Sequence, residues 1–253
     1  MSAAIAPKTK NMTDAEWQIR VDLAACYRLV ARSGWDDLIY THISAAVPGP
    51  TKHFLINPYG MMFGEITASS LVKVDLDGNI ASDTTYKINP AGYTIHSAVH
   101  AAREDVKCVL HLHTTAGVAV SCQKQGLLPL NQTSLICCSD LAYHDYEGIA
   151  LDLDERERLV GNLGSKNALM LRNHGTLTVG NTVAAAYVRM FFLERSCQMQ
   201  IAALAGGAEL NLMSKAMQER VHHQVTSGAT GMGDRDWPAL LRLLDREDPS
   251  YKN

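Results

Sequence analysis

Ile19, Leu23, Cys26, Tyr27 and Val30 recur at the spacing of one helical face and predict a first helix. Thr13-Asp14-Ala15-Glu16 has capping-box form ahead of it, and Ser33-Gly34 marks its end. The period then shortens. Asp36–Ala46 leads into strands, His53–Asn57 and Leu71–Asp75 are short β-rich runs, and Asp77-Gly78-Asn79 reads as a hairpin turn. That succession favours antiparallel pairing. Asn89-Pro90-Ala91-Gly92 breaks the chain before a helix over Tyr93–Arg103, a strand over Val106–His113, and an Ala/Val-rich helix over Thr114–Lys124 closed by Gly126 and Pro129. Asp152–Leu163 reads as a surface helix, and Ala168–Leu171 and Thr176–Val179 as strands. Asn181–Ala205 is a long helix, apolar nearly all round between Ala184 and Phe192, which predicts burial on several sides before Gly206-Gly207 stops it. Ser214–Ser227 is a further helix, and a tail over Trp237–Asn253 holds a helical Trp237–Leu244. Residues 1–12 read as a loose tail, and 13–253 as one domain whose helical C-terminal tail starts near 208.

Composition narrows the function classes. The 253 residues suit one domain with a sizeable core. A net charge of −3 with no run of Lys or Arg predicts neither nucleic acid nor a membrane surface as partner. Six cysteines mostly lie in apolar stretches, without the Cys-x-x-Cys spacing of zinc ribbons or redox motifs, and read as reduced core thiols. Met1–Met12 lacks the apolar core of a signal peptide, and no run of about 18 apolar residues is available to span a membrane. The expectation is a soluble cytoplasmic protein.

Candidate chemistry centres on Val106–His113. Alternation along a strand places His111 and His113 on one face, half of a site for Zn, Mn, Fe, Co or Ni. A third histidine, His174, follows the short strand Ala168–Leu171 in an Asn-His-Gly turn. The competing reading is a pair of half-buried imidazoles hydrogen-bonded to backbone. His96 and His100 lie one helical turn apart, but no Glu beside His96 completes a His-Glu-x-x-His base, so both read as packed or supporting residues. His222 and His223 are adjacent on a helix and do not face together. Tyr143 and His144 belong to a dense polar and aromatic cluster, Ala142–Gly148, which is either a site loop or a polar turn at a subunit contact.

With those histidines in hand, the chain resembles the class II aldolase/adducin family, in its adducin-head-like branch. His111-Leu112-His113-Thr114 and Leu171-Arg172-Asn173-His174-Gly175 carry the resemblance. Gly34-Trp35-Asp36-Asp37, His42-Ile43-Ser44, Ile56-Asn57-Pro58-Tyr59-Gly60, Leu71–Asp75, Asn89–His96 and Tyr143-His144-Asp145-Tyr146 support it. The resemblance implies an α/β fold, a three-layer α/β/α single domain with a largely antiparallel central sheet. It also implies a homotetramer with one divalent metal per subunit, Zn or Mn, held by His111, His113 and His174. Three departures bear on function, the first being that the catalytic Tyr of the family's sugar-phosphate aldolases, expected a few residues past Pro129, is replaced by Asn131-Gln132-Thr133. Sugar-phosphate aldolases of the family carry Pro-Ser-Ser-Glu where this chain has Asn89-Pro90-Ala91-Gly92, so Gly92 stands at the position of the catalytic Glu. Their Gly-Asn phosphate turn is Thr41-His42 here.

Keeping the triad while losing the carboxylate fits decarboxylation, which forms its carbanion by expelling CO₂ and then needs an electron sink and a proton donor. The expected function is a metal-dependent carbon–carbon lyase, a decarboxylase of a chelating hydroxy/keto or hydroxyaromatic carboxylate. His144 and Tyr143 are the candidate proton donors, and Asn57, Gly92 and Thr115 the candidate substrate contacts. Arg172, Lys73 and Arg103 are each possible anchors for a second carboxylate. The alternatives are a retro-aldol lyase on a non-phosphorylated hydroxy-keto acid and a non-catalytic, adducin-like assembly module.

Overall fold

The computed structural model describes residues 12–148, 155–227 and 231–253, so most of the expected N-terminal tail lies outside the described residues. Seven strands form one sheet: β1 (His42–Val47), β2 (His53–Ile56), β3 (Val72–Asp75), β4 (Cys108–Leu112), β5 (Leu141–His144), β6 (Ala168–Leu171) and β7 (Gly175–Gly180). Their order is β3-β2-β1-β4-β7-β6-β5, and every pairing is antiparallel except β5 with β6. Helices α1 (Asp14–Arg32), α2 (Pro90–Ala102), α3 (Thr115–Ser121), α4 (Gln132–Cys138), α5 (Glu155–Leu163), α6 (Val183–Leu204), α7 (Lys215–Thr226) and α8 (Asp236–Glu247) complete the described architecture.

Alternation along β4 divides the layers. Cys108, Leu110 and Leu112 join Ile43 and Ala45 in a core with α1, α6 and α8. Val109 faces the other way, packing with Leu169, Leu171, Leu177 and Val179 against α2 and α5. His111 therefore projects from the α2/α5 side of the sheet. Thr13 caps α1 as its sequence predicts, accepting the Glu16 N–H at 3.1 Å. The reciprocal half of that capping box is diverted, because the Glu16 carboxylate instead binds Arg20 and Lys73.

Several expected boundaries shift. Asn89-Pro90-Ala91-Gly92 does not precede α2 but starts it, Pro90 being its first residue, where a missing N–H costs nothing. The expected loop over Ala142–Gly148 begins instead as β5. The segment read as a C-terminal tail packs into the main core: Trp237, Leu244 and Tyr251 are all buried there, and the Tyr251 carbonyl accepts the N–H of Ala68. The first residues of the helix expected from Asp152 lie outside the described residues. None of the six cysteines is disulfide-bonded, although Cys122 is exposed rather than in the core. No helix among the described residues is long and apolar enough to cross a membrane.

Candidate metal centre

β4 delivers His111 at its end and His113 just past it, while the turn between β6 and β7 delivers His174. One nitrogen from each imidazole lies within 4.8 Å of the others. The ring centroids are 4.8 to 4.9 Å apart. Asn173, directly before His174, takes the left-handed conformation at φ 57°, which asparagine tolerates better than most residues. Gly175, directly after, has no room for a side chain. A Cβ there would meet the Leu112 carbonyl at 2.5 Å and the His113 ring at 3.0 Å.

The outer nitrogens orient the rings. His111 Nδ1 lies 3.0 Å from the Thr176 carbonyl, and His113 Nδ1 lies 3.1 Å from Asp37 Oδ2. Both partners are acceptors, so each holds a proton on Nδ1 and leaves Nε2 bare. Those two Nε2 atoms are 3.0 Å apart. Two lone pairs at that separation repel unless a proton or a cation lies between them, so the donor set fits a divalent ion. Burial, followed by the neighbouring imidazoles, holds His111 well below its ordinary pKa, and the same causes push His174 down to about 4. Neutral imidazole is the form that binds metal.

The other expected residues fall in distinct places. His144 is buried on the triad's side of the sheet, its Nδ1 accepting from Asn162 at 2.8 Å and its Nε2 lying 3.4 Å from Glu155. Tyr143 alternates to the opposite face, where its hydroxyl accepts the Leu127 N–H at 3.0 Å. Of the two expected proton donors, His144 alone shares the triad's face. Asn57 is occupied by Tyr27, whose hydroxyl donates to its side-chain oxygen at 2.9 Å. Thr115 is exposed at the first turn of α3, two residues past His113. Gly92 is buried against the ring of His42. His96 and His100 share Ser44 Oγ, at 2.6 and 2.8 Å. The three possible carboxylate anchors are engaged elsewhere: Lys73 with Glu16, Arg103 with Asp105, and Arg172 stacked over Tyr143.

Asp37 and His42 are the site residues the sequence reading did not assign. Asp37 comes from a loop far from the triad in sequence, and His42 is brought opposite His111 by the β1–β4 register. Neither juxtaposition has a local signal.

With the triad's geometry in place, relatives can be compared. The sequence profile of the class II aldolase and adducin N-terminal domain matches residues 21–201. The chain belongs to that family. The aldolase II superfamily protein from Pseudomonas syringae is 52% identical and superposes with a TM-score of 0.92, covering 96% of this chain and 98% of that one. The L-fuculose 1-phosphate aldolase from Glaciozyma antarctica PI12 has the same fold at 26% identity and a TM-score of 0.84, covering 98% of each chain. Mouse alpha-adducin is 41% identical over 242 residues, which are 90% of this chain and 33% of that protein. The expected family and its three-layer fold are therefore both present.

Proposed function

We propose that the chain is a divalent-metal-dependent carbon–carbon lyase, a decarboxylase of a hydroxy/keto or hydroxyaromatic carboxylate. His111, His113 and His174 would hold Zn or Mn in a cytoplasmic homotetramer. When bound, the cation supplies a Lewis acid for charge that develops on a chelated substrate. Asp37 and the Thr176 carbonyl fix the tautomers of two of the ligands. His144, buried on the same face, is the residue to return a proton to the carbanion. Exposed Phe191 and Met199 on α6, with Met217 and Val225 on α7, are apolar surface that a subunit contact would cover.

The observation that carries decarboxylation over sugar cleavage is at position 92. The catalytic carboxylate of sugar-phosphate aldolases has no counterpart there, and the His42 ring fills the space instead. The similarity to L-fuculose 1-phosphate aldolase keeps retro-aldol cleavage of a non-phosphorylated acid as the second reading. The identity to alpha-adducin favours a third, an assembly module without turnover.

Elemental analysis of protein purified without tag or chelator, alongside His113→Ala, tests the proposal. The expected result is about one Zn or Mn per subunit, lost in the variant, followed by CO₂ release from a hydroxy or keto acid. No metal, and no gain on adding Mn or Zn, sinks the lyase reading and leaves the assembly module.

A further inference from the structure

The end of the sheet away from the triad holds a cavity of about 590 Å³. β1 runs from His42, opposite His111, to Val47 at this far end, about 16 Å along at about 3.3 Å per residue. The cavity lies between α1, the start of α6 and α8, on the face of the sheet opposite His111. Its walls are mostly apolar, from Ile19, Val47, Pro48, Val183 and Pro238 with the indole of Trp237. Such a volume and lining are those of a small-molecule site, which needs only a few convergent polar groups.

Asp22 supplies the group that matters. It lies one turn from Ile19 on α1, half-buried at the cavity. Among the described residues both donors to its carboxylate are neutral, the Trp237 indole N–H at 3.0 Å and the Gln18 side chain. Burial, only partly offset by those two donors, raises its pKa above the ordinary aspartate value. Glu16, on the same helix and more deeply buried, is matched by Arg20 and Lys73 instead. A carboxylate held out of water without a cation is costly, and a cation relieves it. The exposed charges at the cavity, Lys107 and Asp234, are opposite in sign. Each is already engaged, Lys107 with the Glu104 carbonyl and Asp234 with the Gly231 N–H. The uncompensated charge of the cavity is therefore negative, and it sits on Asp22.

We propose that this cavity is a second ligand site, apart from the metal centre, for a primary amine with a flat apolar body. The ammonium pairs with Asp22, while the body packs against Trp237, Pro48 and Pro238. An occupant touches α1, the start of α6 and α8 at once, so its binding ties the C-terminal helix to the core. Nothing in this cavity draws on the triad or on its metal.

Calorimetric titration of the full chain at pH 7 with phenethylamine, and with neutral phenethyl alcohol and anionic phenylacetate, tests this. Wild type is expected to bind the amine saturably and each counterpart about tenfold more weakly or worse, the scale of one charged hydrogen bond. Asp22→Asn keeps an acceptor for Trp237 while removing the charge. It should weaken the amine about tenfold and leave the alcohol unchanged. Pro238→Trp, at an exposed position in the first turn of α8, narrows the cavity and should weaken both. Metal-stripped protein should bind the amine as untreated protein does. The inference is overturned if wild type shows no saturable amine binding, or if either counterpart binds as well as the amine. It is overturned equally if either variant binds the amine as wild type does. Loss of amine binding on stripping overturns it too, because the amine would then be a ligand of the metal. Should Asp22→Asn not fold, the three-ligand comparison on wild type and Pro238→Trp still decides.

Discussion

Gly175 governs the triad without contributing an atom to it. Its Cα sits so close to the Leu112 carbonyl that a methyl group would force β4 and β7 apart at the point where His111 and His113 emerge. Gly175→Ala is expected to cost about 1–3 kcal/mol in urea unfolding and to strip metal from the folded fraction. A variant that retains full metal would show that the triad does not depend on this contact. Asp37→Asn acts more gently, keeping a polar partner but losing the charge that polarises His113. It should weaken metal binding about 10–100-fold in competition with a chelator, with the unfolding midpoint of the metal-free protein little changed. The three imidazoles themselves were legible because a period-two strand and an Asn-His-Gly turn are local patterns. Asp37 and His42 were not, since each reaches the site only through tertiary pairing.

Strands and helices were readable to the degree that a period or a turn signal marked them. The first helix, the early antiparallel strands and the long α6 carry strong signals and are present, whereas the Asp77-Gly78-Asn79 turn closes only on an isolated bridge between Val74 and Ile80. β5 carries no such signal, because Leu141–His144 is short and runs straight into polar residues, and its parallel pairing with β6 is a crossover that no adjacent turn announces. The C-terminal segment is helical where its sequence predicts, over Trp237–Leu244, and it is packed rather than loose. Trp237, Leu240, Leu241, Leu244 and Tyr251 all join the core that holds α1 and α6, and the Tyr251 hydroxyl donates to Asp245 at 2.8 Å. Tyr251 is 0% exposed, so Tyr251→Ala should open a cavity and cost about 3–5 kcal/mol. Chemical denaturation of the metal-free protein would measure it. A loss under about 1 kcal/mol would mean that the segment is an appendage after all.

On the scale of the whole molecule, buried histidines make the metal-free protein sensitive to mild acid. His100 is pushed down to about 3, chiefly by burial and then by Lys107, and its ring stacks on Phe54 at 5.0 Å between centroids. His96 is held well below 6.5 by burial first, then by His42 and His100. In the unfolded chain both bind protons near pH 6.5, whereas in the fold both remain neutral, joined through the Ser44 hydroxyl. Between those values the unfolded state holds more protons, so stability rises with pH and falls as pH drops below about 6.5. Each such histidine costs up to about 1.4 kcal/mol per pH unit once the pH is well below 6.5. His42, His111 and His174 push the same way, though bound metal would protect the two ligands among them. Glu16, held below its ordinary 4.5 by Lys73 and Arg20 despite its burial, loses its contribution only at lower pH and does not blur this window. Urea unfolding at pH 7 and pH 5 should therefore show a steep loss, and His100→Gln should lower the pH slope by about one proton. A slope unchanged by that substitution would mean that His100 is charged within the fold, and that the imidazole–hydroxyl–imidazole contact beneath the site is not the neutral pair described.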